Sequence, residues 1–227
     1  MRLLILAVFS VLNIPLAFSG FKCNVNVKTV PMDFVAADRS SKEWYTPYSS
    51  HFINQSNFCS TSYYKLEFPF MHKGLEINAS IKKGDIKKSP GLDYSPGKKP
   101  WVEMSNYFVE DPKIAGLSHW TTKIGPFTIK TDQHVFAVSP NYHWWATYYC
   151  APGIKNLKMP FTEGIDIRST SIPLDPKIVE EIKRRAIDAG IDPKLVQQIK
   201  PSGYAGCRVK AWDGKRFIVA PNPQTQK

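Results

Sequence analysis

From Trp44 to Thr170 the chain keeps breaking into short, strand-like segments separated by turn formers, and this rhythm limits the folds open to it. Residues 57–68, 74–81, 101–109, 119–130, 134–139, 144–150 and 163–169 are rich in aromatic and β-branched side chains. In one of them Leu75, Ile77, Ala79 and Ile81 alternate with polar neighbours. Between the segments stand Ser89-Pro90-Gly91, Ser95-Pro96-Gly97, Ser139-Pro140-Asn141 and Ala151-Pro152-Gly153. Many short strands at such spacing predict an all-β sandwich or barrel.

One helix is expected, and it comes late. Asp175 can cap it and Pro176 suits its first turn. Ile178, Val179, Ile182, Ala186 and Ala189 form an apolar stripe, with Glu180, Glu181, Lys183, Arg184 and Arg185 on the other face. Gly190 is placed to end the helix in the left-handed region. Such a stripe must be buried, and the outer wall of a barrel is the obvious partner.

The N-terminus carries an address. A basic Met1-Arg2 precedes an apolar run from Leu3 to Leu16, interrupted only by Ser10 and Asn13, and Ala17-Phe18-Ser19 offers the small residues that a signal peptidase reads. Residues 1–19 are therefore read as a signal peptide and 20–227 as one secreted domain. The run is too short for a membrane span, and no transmembrane segment is expected later.

The formal net charge is +11, and loss of Arg2 with the leader would lower it by one. Lys82, Lys83, Lys87, Lys88, Lys98 and Lys99 fall in one Gly/Pro-rich region. A basic surface can steer anions, but no nucleic-acid motif accompanies it. Cys23, Cys59, Cys150 and Cys207 are an even set in a secreted chain, so two disulfides are expected, in any of three pairings. With no paired Cys motif and with His51, His72, His119, His134 and His143 scattered, no metal site is read. Asn54 and Asn78 begin sequons and are candidate surface glycan sites.

Three stretches resemble the lipocalin family, in the branch of apolipoprotein D, the insect bilin-binding proteins and the crustacyanins. Leu174 to Lys183, then Gly190-Ile191-Asp192, then Gly206-Cys207, is similar to that branch's packing helix, turn and late cysteine. Phe136 to Cys150 is similar to its strand–turn–strand motif ending in Tyr-x-Cys, and Lys42-Glu43-Trp44-Tyr45 to its Gly-x-Trp-Tyr motif. Arg168 matches the arginine of its third motif. Lys42 replaces a glycine, and Ser139-Pro140 replaces Thr-Asp, so the member is divergent.

The resemblance implies an eight-stranded antiparallel up-and-down β-barrel with the helix packed outside. It implies disulfides Cys23–Cys150 and Cys59–Cys207, each closing a long loop worth about 4 kcal/mol. It also implies that Trp44 plugs the closed end with Arg168 packed across its ring. A barrel of eight strands holds one small ligand. Candidate lining residues are Tyr64, Trp101, Met104, Phe108, Trp120, His134, Phe136, Trp144 and Tyr148, with bulges needed to fix which face inward.

So many flat rings suit a conjugated ligand. The expected function is a secreted carrier of a small hydrophobic molecule, a pigment first: a biliverdin-like tetrapyrrole, whose propionates would pair with a basic rim near His72, Lys73 or Lys98, or a carotenoid. A colourless fatty-acid or retinoid transporter, or an interaction protein acting through its basic surface, is the alternative. With all four cysteines assigned to disulfides and no catalytic motif in view, no enzyme is expected. A homo-oligomer is compatible with this reading.

Overall fold

A computed structural model describes residues 26–51, 58–67, 72–82, 101–124, 127–151, 163–202, 209–212 and 217–220. The leader at 1–19, Asn54, Cys23 and Cys207 lie outside these residues, as do the side chains of Cys59 and Trp101. Cys150 is disulfide-bonded.

Eight strands follow one another around a closed sheet: β1 Trp44–Ser49, β2 Phe58–Leu66, β3 Lys73–Lys82, β4 Trp101–Glu110, β5 Leu117–Ile124, β6 Phe127–Val138, β7 Trp144–Cys150 and β8 Glu163–Ser169. Each pairs antiparallel with the next, and β1 pairs with both β8 and β2, which closes the barrel. The eight-stranded up-and-down barrel expected above is the observed architecture. The run read as one strand over 119–130 divides into β5 and the start of β6, which turn back on each other with Ile124 opposite Phe127. The Gly125-Pro126 dipeptide is the signal for that turn.

Outside the barrel, α1 Phe34–Ser40 lies at one end, capped by Asp33, whose carboxylate accepts from the backbone N–H groups of Val35 and Ala36. After β8 come α2 Pro176–Asp188, α3 Pro193–Gln197 and β9 Lys200–Pro201, which joins the outer edge of β1. β10 Val209–Trp212 and β11 Phe217–Ala220 form a separate hairpin.

The helix α2 forms as its sequence predicts. Asp175 accepts from Lys177 N–H at 2.8 Å, and Pro176 opens the first turn. Gly190, at φ +86°, ends it, with Ile191 N–H reaching back to Ala186 O at 3.0 Å. Val179, Ile182, Ala186 and Ala189 are buried against Phe136, Trp144, Ala146, Tyr148, Ile165 and Ile167 of the barrel wall. The helix thus packs on β6, β7 and β8 from outside. The short helix α3 repeats the same Asp-Pro start at Asp192-Pro193.

A polar clasp ties β5 and the middle of β6 to the β4–β5 turn. His119 bridges Asp132 at 2.8 Å and Asp111 at 3.1 Å. These hydrogen bonds, Asp132's first, raise the His119 pKa above its ordinary value, against a smaller opposing effect of burial. The charged imidazole is the form that can donate to both carboxylates.

Two consequences follow from this packing. Ile182→Ala, at a site with no solvent exposure, should lose about 2–5 kcal/mol in urea unfolding. Because the folded pKa of His119 is raised, its stabilisation is complete below the unfolded pKa and fades as pH rises through the folded one. The difference in urea midpoint between the native chain and His119→Gln should therefore be largest near pH 5 and shrink at pH 8.

Candidate functional site

Strand parity inside the barrel is fixed by one contact. Arg168 on β8 reaches across to Glu76 on β3, with Nη1 2.6 Å from Oε1. Both side chains must therefore point inward, and every residue in phase with them shares the interior. On β8 these are Gly164 and Asp166; on β7, across from them, Tyr149, Thr147 and Trp145. On β2 and β4, opposite Glu76, they are Tyr64 and Asn106.

Glu76, only 1 % exposed, is held on every side. The Tyr64 hydroxyl donates to its Oε1 at 3.1 Å and the Asn106 amide to its Oε2 at 2.8 Å. Thr122 Oγ1 donates in turn to Asn106 Oδ1 at 2.6 Å. Arg168 also donates to the Tyr64 hydroxyl. Burial pushes the Tyr64 phenol well above its ordinary pKa; Arg168 pulls it down and Glu76 adds to the rise. The phenol therefore stays protonated and remains a donor.

Around this network the rings close one end of the barrel. Phe34 of α1 lies 4.8 Å from Phe108, which stacks on Trp120 at 4.7 Å and 19°. Trp44 meets Trp145 at 3.9 Å, and Trp145 lies 5.6 Å from Tyr64. These residues, with Met32, Ala37 and Val135, form one buried cluster. Rings lie flat where glycine faces them: a Cβ on Gly74 would come within 2.6 Å of the Phe108 ring, and one on Gly164 within 2.2 Å of the Tyr149 hydroxyl.

Of the expected lining residues, Tyr64, Phe108 and Trp120 do face inward, and Met104 is in phase with them on β4. His134, Phe136, Trp144 and Tyr148 do not. Phe136, Trp144 and Tyr148 belong to the outer wall beneath α2. His134 stands beside Tyr148 at 5.7 Å, opposite Leu117 and one residue out of phase with inward Val135. On β7 the phase is set by inward Trp145 opposite Arg168, which turns Trp144 and Tyr148 outward, and on β6 His134 pairs with outward Tyr148.

The expected Arg168–Trp44 stacking is also replaced. The guanidinium lies 5.9 Å from the Tyr64 ring centre and 5.8 Å from that of Trp120, while Trp44 packs on Trp145. Trp44 keeps its place at the closed end. Asn78 falls mid-strand on β3, paired with both β2 and β4, and its side chain lies outside the described residues.

Sequence reasoning missed Glu76, Asn106, Thr122, Thr147 and Trp145. On β3 the apolar alternation of Leu75 and Ile77 pointed to the wrong face. These two are only half-buried on the outside of the barrel, while Gly74 and Glu76 fill the inside.

Three inward polar atoms are buried without a hydrogen-bond partner: Trp44 Nε1, Arg168 Nε and Thr147 Oγ1. Two are donors and the third is a hydroxyl. They stand on the adjacent strands β1, β8 and β7.

The architecture matches solved structures. The amine binding protein of Rhodnius prolixus, in its tryptamine complex, superposes at a TM-score of 0.55 with 9% identity, covering 83% of this chain and 89% of that one. The chain has the lipocalin fold. Apocrustacyanin C1 (TM-score 0.47, 11% identity, 72% of this chain and 77% of that one) and bovine odorant binding protein (0.42, 11%, 71% and 92%) are also similar to this lipocalin barrel; the assignment rests on the first match. No family model and no curated protein matches the sequence. Among the described residues no helix is long and apolar enough to cross a membrane.

The lipocalin interior offers a direct test of its central pair. Removing one partner of a buried ion pair strands the other charge, at about 3–5 kcal/mol. Glu76→Leu should lower stability by that amount in urea unfolding. Adding Arg168→Met in the same chain should recover most of the loss.

Proposed function

We propose that this chain is a secreted carrier that holds one small hydrophobic ligand in the barrel, above the floor made by Trp44, Trp145, Phe108, Trp120 and the Glu76–Arg168 pair. The observation that carries this reading is the set of buried, unpartnered polar atoms turned into the interior. A buried donor left unmade costs about 1–3 kcal/mol. A ligand seated on the floor would satisfy these atoms and recover that energy. The solved neighbours include a tryptamine complex of an amine binding protein and an odorant binding protein, which is consistent with carriage rather than turnover.

The ligand class best suited to a floor of flat rings is itself flat and conjugated. We therefore place a pigment first, a biliverdin-like tetrapyrrole or a carotenoid, ahead of a colourless fatty acid or retinoid. For a tetrapyrrole the propionates would lie at the far end of the barrel. That is the end from which β3 leaves and β4 returns; His72 and Lys73, expected at a basic rim, stand instead at the start of β3 beside Val109, at the floor end, and Lys98 lies outside the described residues. A carotenoid would need no such partner.

An absorption spectrum of the protein from its natural source, with mass spectrometry of the extracted ligand, decides between these. Visible bands and a tetrapyrrole or carotenoid mass are the expected result. A colourless protein carrying lipid would remove the pigment and leave the carrier. A colourless protein with no extractable ligand would count against carriage itself.

A further inference from the structure

The polar atoms of the interior specify the end of the ligand that reaches the floor. Thr147 is 3 % exposed and Arg168 6 %, and Thr147 Oγ1, Arg168 Nε and Trp44 Nε1 have no hydrogen-bond partner. Thr147 stands directly across from Asp166, and Trp145 directly across from Arg168, so the hydroxyl and the guanidinium occupy successive inward positions of the β7–β8 ladder. Two of the three atoms can only donate, so the ligand group must present an acceptor. That requirement excludes an ammonium group, which has none and would also meet Arg168.

Charge excludes the opposite choice. Among the described inward positions, one guanidinium stands with the carboxylates of Glu76 and Asp166, and Glu110 is in phase on β4 nearer the closed end. Glu76 already engages Arg168 at 2.6 Å. A ligand carboxylate here would add a further negative charge around a cation that is already matched. In a medium of low dielectric such crowding is expensive.

We infer that the floor of the barrel is a binding site for an uncharged hydrogen-bonding end group, a hydroxyl or carbonyl, held by Thr147 Oγ1, Arg168 Nε and Trp44 Nε1. This rests on the carrier reading given above. An alcohol can both accept from the two N–H donors and exchange a hydrogen bond with Thr147. A ketone oxygen, with two lone pairs, accepts from two of the three. The ligand therefore enters with its neutral end leading, and any acidic groups it has trail toward the far end.

The test uses three probes on one conjugated skeleton, retinol, retinoate and retinylamine, titrated into the full chain at pH 7 with tryptophan fluorescence as the readout. Trp44, Trp120 and Trp145 all stand in the floor cluster. Retinol should bind at least about tenfold tighter than either charged probe. Thr147→Val should weaken retinol about fivefold, the size of one net hydrogen bond, while its melting temperature stays the same or rises, because an unpartnered buried hydroxyl has been replaced by a methyl group. Retinoate or retinylamine binding as tightly as retinol would overturn the inference and leave the carrier standing, as would a Thr147→Val chain that binds retinol unchanged. Binding of none of the three would overturn the carrier reading and the inference with it.

Discussion

The Glu76–Arg168 pair spans the barrel from β3 to β8, and the rest of the interior is arranged around the need to keep it satisfied. A charge taken out of water costs several kcal/mol unless its partner and its remaining hydrogen bonds are in place. Here Tyr64 and Asn106 complete the carboxylate, and Thr122 fixes the orientation of Asn106. Four strands besides β8 contribute to one network, so their relative register is set by polar contacts as well as by the ladder. A slip of one residue on β3 would bring Leu75 or Ile77 inside and turn Glu76 outward, leaving Arg168 buried alone.

The same constraint explains which parts of the sequence could be read. The helix α2 was legible because its signals are local: an Asp-Pro start, an apolar stripe of period 3.6, and a glycine that must take φ +86°. That the chain is built of many short strands was legible from the turn formers; their number and the closed topology came only with the lipocalin resemblance. The inside of the barrel was not. On β3 the alternation of Leu75 and Ile77 with polar residues is the usual mark of an apolar inner face. The order is reversed here because a buried ion pair occupies the inner face. On β6 the shift between Val135 and Ala137 reverses the phase near the strand's end, so Phe136 and Ala137 both join the cluster under α2. Period-2 counting cannot detect one extra residue.

The aromatic richness of the chain therefore serves two purposes that the sequence alone does not separate. Phe136, Trp144 and Tyr148 cover the outer wall for the helix, with Arg185 of α2 lying 5.9 Å from the Trp144 ring. Trp44, Trp145, Phe108 and Trp120 make the floor. On β7 the two sets alternate residue by residue, from Trp144 outward to Trp145 inward, so adjacent rings belong to different cores.

The floor is not a plain apolar plug, and this bears on what the barrel can accept. A carrier lined only by hydrocarbon would take any ligand of suitable shape, because apolar contact discriminates weakly between heads of similar size. Donors buried without partners behave differently: a ligand that leaves them unmade forfeits the energy that a matching one recovers. Gly164 sharpens this further. With no side chain there, the Tyr149 ring lies across β8, its hydroxyl over the glycine and one inward position beyond Thr147 and Asp166. Burial pushes the pKa of that phenol well above its ordinary value, so it too remains a neutral donor. The inner wall of β7 and β8 is thus a short ladder of polar groups rising from a ring-lined floor. On the carrier reading proposed above, shape would select a flat skeleton and the ladder the end by which it is held.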